Sequence, residues 1–66
     1  MDNLVLINKE DKIIIQKAAY IEHGSYIEIK GIEIALWEIP YGGGEPYLVD
    51  KYGTLEDAIS NMNKLT

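Results

Sequence analysis

The feature that most constrains the fold is a short stretch in which isoleucine alternates with charged residues on both sides of one glycine. It reads YIEIKGIEI from Tyr26 to Ile34 and is almost symmetric about Lys30 and Gly31. Strict alternation predicts β-strands, and the central glycine predicts a tight turn between two of them. A two-residue loop at Lys30 and Gly31 would place Glu28 directly opposite Glu33. One face of this hairpin would then carry the apolar side chains of Ile27, Ile29, Ile32, Ile34 and Leu36.

The opposite face of the same hairpin would carry Tyr26, Glu28, Glu33, Ala35 and Trp37. Two interpretations of Trp37 stay open at this point. If the sheet coils until both of its faces are interior, Trp37 belongs to the core. If it does not, Trp37 faces a partner, because tryptophan and tyrosine dominate interface hot spots.

Alternating or β-rich runs predict further strands, and the end of the chain changes to helical spacing. We expect strands over about 3–8, 12–22, 25–30, 32–39 and 46–52, the second bent or bulged near Ala18 and Ala19. Thr54 is a suitable N-cap for a helix over 54–65, with Asp57 three residues later. The apolar stripe of this helix is formed by Leu55, Ala58, Ile59, Met62 and Leu65.

These elements predict an α+β fold, an antiparallel β-meander of four to five strands with a C-terminal helix packed on one face. The isoleucine face of the hairpin is the expected seat of the helix. The 66 residues form a single domain of a size that rarely stabilises itself by its core alone. Because the chain has no cysteine, disulfides are excluded, and association is favoured. We therefore expect a homodimer formed through sheet edges or sheet faces, and the isoleucine triplet at 13–15 points the same way.

Composition excludes several classes of function. The net charge of −5 argues against direct binding of nucleic acid, which needs a basic face. One histidine and no cysteine leave no two-histidine or thiolate metal site within one chain. No apolar run approaches a membrane span, and the first residues lack the basic segment of a signal peptide. We expect a cytoplasmic protein with no membrane contact, no cofactor, no metal and no catalytic residues. Eleven isoleucines and lysine as the sole basic residue are typical of low-GC bacteria and their phages.

Two local motifs are weak evidence for chemistry. The glycines at 42–44 join a strand to a strand, and Glu45 follows them, so they lack the features of a phosphate-binding loop. His23 precedes Gly24 in a turn and has no cysteine or second histidine to act with. Both are interpreted as structural.

The remaining polar and aromatic residues indicate a surface for a partner. An acidic, aromatic sheet face would suit a larger protein with a basic surface, as in small phage or mobile-element inhibitors. The alternative is a protein that binds or sequesters a nucleotide or metabolite in a pocket between chains of an oligomer, lined by tyrosine, tryptophan and the glycine loop. The residues expected to contact the partner are Tyr26, Glu28, Glu33, Trp37, Tyr41, Glu45 and Tyr47.

Overall fold

The computed structural model describes residues 4–18 and 20–65, and within them it contains five strands and one helix. The strands form one antiparallel sheet in which each strand pairs with the next along the chain, so that β1 and β5 are the edges. This confirms the predicted α+β meander with a C-terminal helix. The elements are β1 (Val5–Asn8), β2 (Ile13–Gln16), β3 (Gly24–Lys30), β4 (Glu33–Ile39), β5 (Tyr47–Tyr52) and α1 (Leu55–Leu65).

The hydrophobic core lies between α1 and one side of the sheet. Ile27, Leu36 and Met62 are completely buried there, beside Ala58 and Ile15. Half-buried residues packed around this centre are Ile13, Ile29, Ile34, Tyr52, Leu55 and Ile59. The isoleucine face of the hairpin therefore seats the helix, as the sequence predicts.

The turn between β3 and β4 is displaced from its predicted position. Lys30 pairs with Glu33, so the two-residue loop consists of Gly31 and Ile32 rather than Lys30 and Gly31. Gly31 has a φ of +63° and no non-glycine residue described has a positive φ, a combination that suits a type II′ turn with glycine in its first position. The predicted pairing of Glu28 with Glu33 is wrong, because Glu28 lies opposite Ala35. Ile32 moves from the predicted core face to the turn, where it is 98% exposed.

The second strand is shorter than predicted. β2 ends at Gln16, whereas the sequence predicts a strand through Glu22. The side-chain amide of Gln16 donates a hydrogen bond of 2.7 Å to the carbonyl of Ala18. This local bond favours a turn where the pattern predicts continued pairing. Residue 3, the predicted start of the first strand, and Ala19, where a bulge is predicted, lie outside the described residues.

The N-terminus of α1 has the predicted cap. The Thr54 hydroxyl accepts a hydrogen bond of 3.2 Å from the backbone N–H of Asp57. Glu56 and Asp57 occupy the first turn and Lys64 the last, which matches the helix dipole. At the C-terminal end the predicted stripe is incomplete, because Leu65 is exposed.

β5 is irregular where it pairs with β4. Leu36 lies opposite Asp50, but the next residue of β4, Trp37, lies opposite Leu48. Val49 is therefore an extra residue in the edge strand, a β-bulge. Because of this shift, Leu48 falls on the same side of the sheet as Trp37.

Candidate functional site

The side of the sheet opposite α1 carries an apolar surface, which we call the open face. Alternation along the strands assigns each side chain to one side, and among the described residues no helix or strand packs on this side. Its apolar and aromatic members are Val5, Ile7, Ile14, Tyr26, Ala35, Trp37, Ile39 and Leu48.

Charged residues on the open face are paired rather than uniformly acidic. Lys12 contacts Glu28 at 3.3 Å, and both side chains are partly buried. Lys51 lies 3.7 Å from Glu33. Burial raises the pKa of Tyr26, Glu28 raises it further, and Lys12 lowers it. Lys12, just before β2, and Lys51 of β5 therefore neutralise the two glutamates that the sequence predicts opposite each other.

Trp37 lies on the open face and not in the core beneath α1. Its register partner on β3 is Tyr26, and its side chain is half-buried. The indole N–H is shielded from solvent and has no hydrogen-bond partner in the structure. Trp37 therefore lies on the side of the sheet away from α1, and its side chain is only partly accessible to water.

A second surface follows the β5 edge and the loop before it. We call it the acidic edge and define it by Glu38, Tyr41, Glu45, Tyr47 and Asp50. Tyr41 is 87% exposed and Tyr47 is 48% exposed. The Tyr47 hydroxyl donates a short hydrogen bond to Oε2 of Glu38, and this bond raises the Tyr47 pKa more than partial burial and charge do. The bond holds the phenol ring beside a carboxylate at the rim of the sheet.

The segment from the end of β4 to the first turn of α1 is strongly acidic, and the acidic edge holds three of its carboxylates. Residues 38–57 contain five carboxylates and one lysine, so they carry −4 of the net −5. The single lysine, Lys51, projects to the open face, where it pairs with Glu33. The carboxylates of this segment are Glu38, Glu45, Asp50, Glu56 and Asp57.

The glycine loop forms one wall of a shallow cavity of about 440 Å³. Gly42, Gly43 and Gly44 have φ values of +92°, +97° and +115°, a backbone that other residues rarely adopt. The Gly43 N–H donates to the carbonyl of Pro40 at 3.2 Å. The cavity is lined by Glu22, His23, Tyr41, Gly42 and Gly43, and the His23 and Tyr41 rings meet edge to face at 4.7 Å.

The structure divides the seven residues expected to contact a partner between these two surfaces. The open face has Tyr26, Glu28, Trp37 and, at its end, Glu33; the acidic edge has Tyr41, Glu45 and Tyr47. Sequence reasoning omitted Asp50, and it omitted Glu38, whose contact with Tyr47 depends on the pairing of β4 with β5. It also omitted Ile14, Ile7 and Leu48, although the isoleucine triplet pointed to a strand apolar on both sides.

Within residues 4–18 and 20–65, no group of three or more histidine, aspartate and glutamate side chains is arranged to hold a metal ion. The one helix described there is too short and too polar to cross a membrane. Comparison of the chain with protein-family models, with curated proteins and with solved structures finds no significant match in any of the three.

Proposed function

We propose that this chain is a small non-enzymatic interaction module that binds a basic segment of a larger protein along the acidic edge. The observation that carries the proposal is the coincidence of an unpaired strand edge, two exposed tyrosines and three carboxylates along β5 and the residues just before it. The sequence predicts that the partner binds an acidic, aromatic face of the sheet. The surface proposed here lies instead at the edge of the sheet.

The unpaired edge provides backbone recognition. β5 has six residues, β1 has four, and each leaves one row of N–H and C=O groups without a strand partner. An extended peptide can add to such an edge as an extra strand, because the main-chain hydrogen bonds supply affinity for any sequence. Of the two edges, the longer one carries the exposed Tyr47, Leu48 and Val49.

The charge provides selectivity for the partner. Glu38, Glu45 and Asp50 would each lie close to a strand docked on β5, and Lys51 is turned toward Glu33. A segment that alternates lysine or arginine with apolar residues would meet carboxylates and tyrosines. Electrostatic attraction of this kind raises association rates and weakens with salt.

A peptide-binding experiment tests the proposal. A labelled peptide of alternating lysine and valine is titrated with the whole chain by fluorescence anisotropy, beside an alternating glutamate and valine peptide. We expect binding of the basic peptide alone, weakened by added salt. Tyr47→Ala should weaken it by about tenfold, a hot-spot effect of roughly 1.4 kcal/mol. Tyr20→Ala, which removes another exposed tyrosine, is the matched control.

Charge reversal separates specific from general attraction. Glu45→Lys and Glu10→Lys change the net charge equally, but Glu10 lies in the turn between β1 and β2. We expect Glu45→Lys to weaken binding far more than Glu10→Lys. Equal effects of the two variants, or binding that salt leaves unchanged, would contradict recognition at the acidic edge.

A second function is favoured by the cavity at the glycine loop. Its volume falls in the range of small-ligand sites. The lining includes the carboxylate of Glu22 and no lysine, so a cationic amine fits its chemistry better than a nucleotide phosphate. Thermal denaturation with a panel of amines and nucleotides tests it. A bound amine should raise Tm by several degrees, and Gly43→Val should abolish that rise.

The remaining parts of the proposal follow from charge and size. We propose a homodimeric, cytoplasmic protein that does not bind nucleic acid directly, and a phage or mobile-element inhibitor is a role that such a module could fill. Support comes from the net charge of −5 and from the small core of a 66-residue chain.

A further inference from the structure

We propose that the open face is the homodimer interface, with two copies packed sheet against sheet around Trp37. This inference specifies the surface of the dimer proposed above and is independent of peptide binding at the acidic edge. It is argued from the side chains on the face, its charge and its area.

Apart from its ion pairs and Gln16, which lies opposite Tyr26, the face is apolar. Ile14 and Trp37 lie on β2 and β4, on either side of the central strand, and both are only half-buried. The edge strands extend this surface with Val5 and Ile7 on β1 and Leu48 on β5. An apolar side of a sheet is normally covered by a second layer of structure, at a spacing of about 10 Å. Among the described residues this layer is supplied on the α1 side only.

The charge of the face identifies a second copy as the occupant. The charged side chains on this face are three lysines, each paired with one carboxylate, so the face is neutral and the rest of the chain carries the net −5. Two copies would repel each other on their other surfaces but not here. A basic partner gains no electrostatic attraction on this side, because the carboxylates are already paired with lysines. The three pairs are Lys12 with Glu28, Lys30 with Asp11, and Lys51 with Glu33.

The area of the face fits a reversible dimer. Five strands spaced by about 4.8 Å, with about 3.3 Å per residue, give a flat footprint of roughly 450 Å² per copy. Two footprints total roughly 900 Å² before side-chain relief is added, close to the ~1,000 Å² at which specific interfaces begin. We therefore expect dissociation in the micromolar range rather than an obligate dimer.

Sedimentation equilibrium of the whole chain from low to high micromolar concentration measures this association. The matched variants are Ile7→Lys and Leu6→Lys, since these neighbours on β1 project to opposite sides of the sheet and the Leu6 side chain is already 62% exposed. A two-fold dimer carries each substitution twice, so Ile7→Lys should raise the dimer Kd on the order of 100-fold. Leu6→Lys should leave the Kd unchanged.

Trp37 fluorescence gives an independent readout that does not need a variant. The emission of the natural chain should shift to shorter wavelength as concentration rises and the indole is covered by the second copy. Far-ultraviolet circular dichroism establishes that Ile7→Lys is folded; if it is not, Lys12→Glu, which makes the face acidic, replaces it and should also weaken the dimer.

Three results would overturn the assignment. They are a monomeric mass at every concentration, a dimer weakened by Leu6→Lys but not by Ile7→Lys, and a dimer whose formation leaves Trp37 emission unchanged. Loss of peptide binding in Tyr47→Ala with the dimer intact would leave this inference standing. Loss of the dimer with peptide binding intact would leave the acidic edge standing.

Discussion

Side chains alternate between the two sides of the sheet, and the two sides differ in how deeply these side chains are buried. On the α1 side, Ile27 and Leu36 are sealed beneath Met62 and have no exposed surface. On the open face, the neighbouring positions hold Tyr26 and Trp37, which are half-buried and lie beside the Lys12 and Glu28 ion pair. The difference teaches that one strand pair can supply both the stability of a small domain and a surface available to another molecule.

The largest difference between the two sides should appear when a leucine is truncated on each. Leu36→Ala removes a fully buried side chain and should lower the free energy of unfolding by about 2–5 kcal/mol. Leu48→Ala, on the open face and 44% exposed, should cost less than about 1 kcal/mol in the monomer. Urea unfolding at low protein concentration, followed by circular dichroism, measures both. Equal losses would show that the open face is part of the core.

The next largest effect on stability is expected at the turn between β3 and β4, which sets the pairing of these two strands. Gly31→Ala should cost on the order of 1–2 kcal/mol, because alanine is strained at a φ of +63°. No atom lies within 4 Å of the added methyl group, so backbone strain is the cause rather than a clash. Gly53→Ala is the control, since its added Cβ also meets nothing within 4 Å and its φ is not in the strained range. A stability loss in Gly53→Ala as large as that in Gly31→Ala would remove the turn argument.

The helix cap tests the covered side alone. Thr54→Ala removes the acceptor of the Asp57 N–H and should cost about 1 kcal/mol, whereas Thr54→Ser keeps the hydroxyl and should cost little. Thermal unfolding followed at the helical circular dichroism band measures the difference. Dimerisation should be unaffected in folded protein, because Thr54 lies at the start of α1, away from the open face. A change in dimer Kd would link the two sides.

The smallest effect concerns alkaline pH. The pKa of Tyr26 on the open face and that of Tyr52 beside the helix are both raised, with burial as the main cause. A tyrosine whose pKa is higher in the folded state contributes its full stability below its unfolded pKa of about 10, and that contribution is lost as pH rises through the folded value. The urea midpoint should therefore fall above about pH 10.

Phenylalanine variants apportion this alkaline loss between the two sides. Tyr26→Phe and Tyr52→Phe should each reduce the fall in the urea midpoint, since phenylalanine does not ionise. A midpoint that falls equally in both variants and in the natural chain would assign the loss to other groups.

Some features of the fold could be read from the sequence because their signals are local. The α1 boundaries follow from Thr54 and from a spacing that no strand shares. The assignment of Ile27 and Leu36 to the helix side is correct although the pairing of β3 with β4 differs from the predicted one. The pairing is displaced by two residues, and a displacement of two keeps each side chain on its face.

Other features depend on choices that the pattern leaves open. The near-symmetry about Lys30 and Gly31 is compatible with two loop positions. The glycine decides between them, since it occupies the first position of the turn. The contacts of Glu28 and Glu33 depend on this choice and on Lys12, just before β2, and Lys51 of β5, so the candidate site could be predicted only in part. The bulge at Val49 has no sequence signal that we recognise.

That bulge also limits how copies can join. A regular β5 would offer an uninterrupted ladder to any other exposed strand, and sheets extended at both rims grow into fibrils. The extra residue at Val49 interrupts the regular spacing of hydrogen-bonding groups along β5 and increases the local twist. A strand that docks on β5 must match this irregularity or end before it. The bulge therefore discourages polymerisation of copies through β5.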